Sequence, residues 1–246
     1  MPESAPPASK PQYSRVILKL SGEMMKGPAD FGLDAQAVQF IASEIADVAR
    51  TGIQVGVVIG GGNIFRGSSE AAARMKRAVA DHVGMLATVI NALMLQDALE
   101  NMQVPTRVMT ALTMANIAEP YIRRRAIRHF ERGYVVLFGA GTGNPFFTTD
   151  SAAALRANEL DADAVLKGTK VDGIYTADPK KDPNAKFLPN CTYDRAIREN
   201  LKVMDAAALA LCRDNDMPIV VYDLTKAGNT LRVVTDGDIG TKVTKE

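Results

Sequence analysis

Short runs of apolar, mostly β-branched residues alternate with stretches of helical periodicity along almost the whole chain, and that alternation limits the fold most. "RVILKL" (15–20), "QVGVVI" (54–59), "TRVM" (106–109), "YVVLF" (134–138), "DAVLK" (163–167), "PIVVYD" (218–223) and "GTKVT" (240–244) have the length and composition of strands. Between them Val38, Ile41, Ile45 and Val48 recur at helical spacing after Asp34, a cap candidate, and before Gly52, a stop. Further helices are predicted over about 81–101, 120–132, 150–160 and 203–215. Apolar strands joined by helices predict an α/β fold, with a mainly parallel open sheet sandwiched between helices (αβα).

With 246 residues, the chain can build one large domain beyond a proline-rich tail over 1–12, "MPESAPPASKPQ". The best place for a break between sub-regions is 169–192. A net charge of +1 supplies no global field for nucleic acid or a membrane. The tail lacks the apolar segment of a signal peptide, and the longest charge-free runs are interrupted by Gly, Asn or Gln, so no membrane span is expected. Cys191 and Cys212 read as reduced thiols, and His82 and His129 as ordinary helix residues. Neither pair has zinc-ligand spacing. The expected location is cytoplasmic.

In open α/β sheets, ligands bind beyond the carboxyl ends of the strands. There the sequence places Lys19, Ser21 and Gly22; Gly60, Gly61, Gly62, Asn63 and Arg66; "GAGTGNPFFTTD" (139–150); and Lys167, Gly168, Thr169 and Lys170. Each set is small, hydroxylated or cationic. Bare backbone N–H groups and lysine or arginine cations bind phosphate. One such turn is often only a tight turn; four at one sheet rim would make a polyanion site. The Walker pattern, the dinucleotide G-x-G-x-x-G after a strand and the nucleophile elbow are all absent. Phosphoryl transfer needs placement and positive charge more than covalent chemistry. Lys19, Arg66 and Lys167 or Lys170, with Mg²⁺ carried in on a nucleotide, would suffice. Asp150 reads either as a helix cap or as a carboxylate that holds two lysines.

"ILKLSGE", "GIQVGVVIGGGNIFRG", "DHVGMLATVINAL", "GTGNPFFTTDSAA", "KGTKVDGIYTADPKKDP" and "LKVMD" together resemble the amino acid kinase fold family, and within it the bacterial uridylate-phosphorylating branch. The resemblance covers nearly all of the chain beyond the tail. It implies transfer of the ATP γ-phosphoryl group to UMP, with Mg²⁺. It implies an acceptor part over roughly 13–165 and an ATP-nucleoside part over roughly 166–246. It puts Lys19, Leu20, Ser21, Gly22, Gly62 and Arg66 along the ATP phosphates, and Thr169, Tyr175 and Asp178 at the ATP nucleoside. It puts Gly61, Asp81, Thr142, Gly143, Asn144, Pro145, Phe146, Phe147, Thr148 and Thr149 at UMP. Gly27, Pro28, Ala29, Asp30, Phe31 and Gly32 match a region of GTP activation. UTP inhibition and a homohexamer built as a trimer of dimers are also implied, with the helix at 83–95 a candidate dimer face. Relatives that phosphorylate amino acids take a second lysine from the late helix, where this chain has Met204 and Asp205, so Lys167 or Lys170 is expected in its place.

Two other readings remain at this stage. One is a kinase of the same fold that makes an acyl phosphate; the flat, hydroxyl-rich "NPFFTTD" weighs against it. The other is a nucleic-acid-binding module. It rests only on Arg124, Arg125, Arg128 and Arg132, which a solvated basic helix face explains as well.

Overall fold

The computed structural model describes residues 12–66, 74–177, 179 and 181–246. The apolar runs become β1 (Arg15–Leu20), β2 (Gln54–Ile59), β3 (Thr106–Thr110), β4 (Glu119–Pro120), β5 (Val135–Gly139) and β6 (Ala164–Thr169). β7 (Ile174–Tyr175) and β8 (Phe187–Leu188) form a small antiparallel ribbon. β9 (Asn190–Thr192), β10 (Ile219–Asp223) and β11 (Thr241–Thr244) complete the strands. Among the described residues the main sheet has nine strands in the order β4-β3-β5-β2-β1-β6-β10-β11-β9. It is parallel from β4 through β10; β11 runs antiparallel to β10, and β9 follows β11 in parallel. The carboxyl ends of the parallel strands therefore share one rim.

The helices are α1 (Ala35–Arg50), α2 (Arg77–Asn101), α3 (Arg123–Glu131), α4 (Thr149–Glu159), α5 (Tyr193–Arg198), α6 (Ala206–Asp214) and α7 (Asn229–Thr235). They divide between the two faces of the sheet. Val16, Leu18 and Leu20 of β1 pack with Ile41 and Ile45 of α1, Leu95 and Leu99 of α2, and Val233 of α7. Ile17 of β1 packs on the opposite face with Phe130 of α3, Ala153 and Ala157 of α4, and Ala208 of α6. Full burial of each large aliphatic side chain contributes about 1.5–3 kcal/mol.

Several expected boundaries move. The 81–101 helix begins at Arg77, so Asp81 lies inside it and caps nothing. The arginine helix shortens to 123–131 and the late helix to 206–214. Asp34 caps α1 as expected, through the Ala37 N–H at 2.8 Å. α4 is capped by Thr148 and not by Asp150, because the threonine hydroxyl accepts the Asp150 N–H at 3.0 Å. Contrary to the sequence reading, α2 is long and apolar enough to cross a membrane by length and composition. Its Ala92, Leu95 and Leu99 are buried against the sheet, as in a core helix.

Candidate active site

Alternation along the strands decides which way the two strand lysines point. Lys19 follows the side of Ile17, and Lys167 that of Val165, so both face the α3–α6 layer. The two lysines are also register partners on adjacent parallel strands. Asp150, the second residue of α4, reaches into the space between them. Its Oδ1 lies 2.7 Å from Lys19 Nζ and its Oδ2 lies 2.9 Å from Lys167 Nζ. Lys167 also donates to the Val203 carbonyl at 2.5 Å. Burial pushes the Asp150 carboxyl up, but the two ammonium groups outweigh it and hold the acid below its ordinary value. Burial drives the Lys167 ammonium below the ordinary lysine value; Asp150 opposes that shift and Lys19 reinforces it. Of the two lysine candidates beyond Lys19, the structure brings Lys167 to Asp150 and leaves Lys170 exposed beyond β6.

A cleft of about 290 Å³ opens on one side of this cluster. Gly61, Asp81, Thr142, Phe147, Thr148 and Thr149 line it, as the sequence suggested, together with Gly62, expected instead along the ATP phosphates, and with Arg77 and Thr88, which the sequence reading missed. Gly143, Asn144, Pro145 and Phe146 belong to the same loop but do not line this cleft. Asp81 clasps the loop: its Oδ2 accepts the Phe146 N–H at 2.7 Å, and Arg77 Nε donates to both carboxylate oxygens at 2.8 and 2.9 Å. Phe146 is held at φ 73°, with Phe146 and Phe147 left 68% and 54% exposed. Two large rings facing water beside a polar cleft offer a surface for a flat ligand.

The glycines have a reason that the sequence reading did not find. A Cβ on Gly22 would lie 2.3 Å from the Gly60 carbonyl oxygen, and one on Gly61 would lie 2.7 Å from Ala87 Cβ and 2.8 Å from the Gly84 carbonyl oxygen. Bare backbone at these two positions lets the first two loops touch each other and touch α2. Buried Asn91 fastens the arrangement: its Nδ2 donates to the Gly60 carbonyl at 2.7 Å and to Asn63 Oδ1 at 2.7 Å. Asn63 Nδ2 in turn donates to the Gly32 carbonyl at 2.9 Å, which ties the 27–32 loop to the second glycine loop. In that loop Phe31 is 80% exposed, and Lys26 Nζ donates to the Asp30 carbonyl at 3.2 Å. Arg66 is exposed and meets Glu23 Oε1 at 3.0 Å, so it spans the same two glycine loops.

A second cleft, of about 340 Å³, lies on the carboxyl-terminal half of the chain, lined by Val171, Ile174, Tyr175, Asn200, Leu201 and Lys202 among others. Tyr175 was expected there; Val171 and 200–202 were not. Thr169 closes the loop beneath, bonded to the Val171 and Tyr222 carbonyls at 2.7 and 3.1 Å. The Leu20 side chain is fully buried in the opposite core, which leaves only its backbone to face a ligand. Asp178 lies outside the described residues.

The model of the amino acid kinase family matches residues 14–223. The chain belongs to that family. Within this amino acid kinase fold, the chain is similar to the UMP kinase of Bacillus anthracis, with 40% identity, a TM-score of 0.92, and 95% of this chain and 97% of that one covered. It is similar to the UMP kinase of Ureaplasma parvum, with 38% identity, a TM-score of 0.89, and 95% and 100% covered. It also resembles the uridylate kinase of Archaeoglobus fulgidus, with 25% identity, a TM-score of 0.71, and 93% and 99% covered. The family match at 14–223 takes in Lys19, Lys167 and the lining of both clefts.

Proposed function

We propose that this kinase transfers the γ-phosphoryl group of ATP to UMP and releases ADP and UDP. The observation that carries the reading is the Lys19–Asp150–Lys167 cluster, two ammonium groups held by one carboxylate at 2.7 and 2.9 Å, with one cleft reaching Thr149, the neighbour of Asp150, and the other reaching Lys202, the neighbour of Val203, whose carbonyl accepts from Lys167. The acceptor sits in the Gly61–Asp81–Thr148 cleft, on the 13–165 part. The ATP nucleoside sits beside Tyr175, on the 166–246 part. A phosphate oxygen of UMP, already ionised at neutral pH, attacks the γ-phosphorus while the bond to the β,γ-bridging oxygen breaks, so no general base is needed. Lys19 and Lys167 stabilise the charge on the transferred group, and Asp150 keeps them fixed so that little reorganisation is needed at the moment of reaction. Arg66 adds a third cation from the glycine loop. Mg²⁺ would be carried in with ATP and would supply further positive charge to the phosphates beside Lys19 and Lys167.

The regulatory and assembly readings belong to the same proposal. GTP activates through the 27–32 loop, whose bonds to Asn63 carry its position to the second glycine loop. UTP inhibits as a product-like nucleotide. The subunits form a trimer of dimers in which α2 supplies the dimer face, supported by the outward stripe of Val79, Leu86, Ile90 and Met94. The protein works in pyrimidine nucleotide synthesis in the cytoplasm, without nucleic-acid or membrane partners. A coupled ADP-release assay with UMP, CMP, acetylglutamate, aspartate and carbamate as acceptors tests the central reading. Turnover is expected with UMP above the others, and none with UMP would overturn it.

A further inference from the structure

We infer that Asp205 is a positioning residue that sets the separation between the two clefts, and through it the distance from donor to acceptor phosphoryl group. The inference rests on the phosphoryl-transfer reading above and deepens it. Asp205 lies three residues after Lys202, the last residue of the 200–202 segment that lines the second cleft. Its carboxylate bonds the starts of two helices at once. Oδ1 accepts the Ala208 N–H at 2.8 Å and caps α6. Oδ2 accepts the Thr148 hydroxyl, and Ser151 Oγ lies 3.0 Å from both oxygens. Thr148 lines the acceptor cleft and caps α4, and its hydroxyl oxygen accepts the Asp150 N–H at 3.0 Å.

A line of hydrogen bonds therefore runs from the start of α6, through Asp205 and Thr148, to the backbone of Asp150, the residue that holds both lysines. A second strap crosses the same gap where Lys167 donates to the Val203 carbonyl. An aspartate whose only duty was to start α6 needs a bond to its own helix. This one also takes hydroxyl bonds from residues 57 and 54 positions away. Asp205 touches neither transferred atom; it acts by fixing the frame on which the reacting groups are mounted.

Steady-state kinetics and thermal melting of the parent, Asp205→Asn, Thr148→Val, Thr148→Ser and the Asp205→Asn/Thr148→Val double variant test this. Asparagine keeps an oxygen for the α6 cap but lacks the charge and the second acceptor. Asp205→Asn is expected to lower kcat by about tenfold to a hundredfold, because small misplacements of reacting groups are costly. The KM for ATP stays within about threefold. The melting temperature stays close to that of the parent. Thr148→Ser keeps the hydroxyl that Asp205 accepts and is expected to lose less kcat than Thr148→Val. The double variant is no slower than the slower single one, since both break the same line of bonds. A kcat for Asp205→Asn close to the parent value, a loss that tracks a fall in melting temperature, or multiplying effects in the double variant would each overturn the inference. A parent that turns over UMP beside an unimpaired Asp205→Asn removes this inference alone; a parent inert toward UMP removes the phosphoryl-transfer reading and this with it.

Discussion

Replacing Asp150 with asparagine removes the one negative charge between two buried cations while keeping its shape. At 2.9 Å the attraction of Asp150 for Lys167 is about 6 kcal/mol at an effective dielectric of about 20. Asparagine retains a carbonyl dipole there, and both side chains keep some contact with water, so only part of that figure is lost. Losing even part of that attraction favours the neutral amine of Lys167. The direction is fixed by what remains: burial and Lys19 both lower the Lys167 value, and their largest opponent, Asp150, is gone, with Asp205 the smaller one left. The basic limb of the pH–kcat profile of Asp150→Asn is therefore expected to move toward acid, with a kcat near neutrality reduced by about a hundredfold. The acid side carries a second signature. Asp150 is held below the ordinary aspartate value, so its contribution to stability is present above that value and is lost as the pH falls through the lowered one. Melting curves from neutral pH down to about pH 3 should show a loss in the parent that is smaller in the variant. A basic limb in the same place in both proteins would refute the reasoning, because it would mean that Lys167 does not feel Asp150.

Three further perturbations follow from the geometry. Gly61→Ala places a Cβ against Ala87 and the Gly84 carbonyl, and is expected to destabilise by about 1–3 kcal/mol by overpacking; calorimetry that finds the parent melting temperature, with only UMP binding lost, would show that the glycine serves the ligand and not the packing. Glu44→Ala strips a buried carboxylate that accepts the Gly228 N–H at 2.6 Å, the Thr230 N–H at 3.1 Å and the Thr230 hydroxyl at 2.7 Å, and should cost about 3 kcal/mol or more in urea denaturation while leaving the KM values unchanged. Arg66→Ala is expected to lower kcat by about a hundredfold with little change in stability, since its ion pair with Glu23 is exposed; a rate within threefold of the parent would remove it from the phosphate site.

What the sequence disclosed, and what it hid, follows how local each cause is. The strands, α1 with its Asp34 cap, and the residues beyond each strand were legible because apolar runs, caps and loop chemistry are written in consecutive positions. That Lys19 and Lys167 share a face was open to the same alternation argument, but their pairing through Asp150 depends on strand order and register, which a single sequence does not display. α7 was missed because its cap comes from Glu44, 184 residues away, and Gly228 at its start offers no side chain. α5 has only six residues, and β7, β8 and β9 have two or three each, too short for periodicity to register. Gly61 was assigned to ligand access although its tightest neighbours are α2 atoms. Asp205 was noticed only for not being a lysine, because its partners Thr148 and Ser151 lie more than fifty residues earlier.

Mounting the two ammonium groups on neighbouring rungs of a parallel ladder ties their spacing to the roughly 4.8 Å repeat of the sheet, not to any loop. On the proposed reading, recognition of the acceptor belongs to 140–149, which hangs outside that lattice. A protein engineer who grafts a different loop across this span would retune what receives the phosphate without disturbing the anvil on which it is transferred.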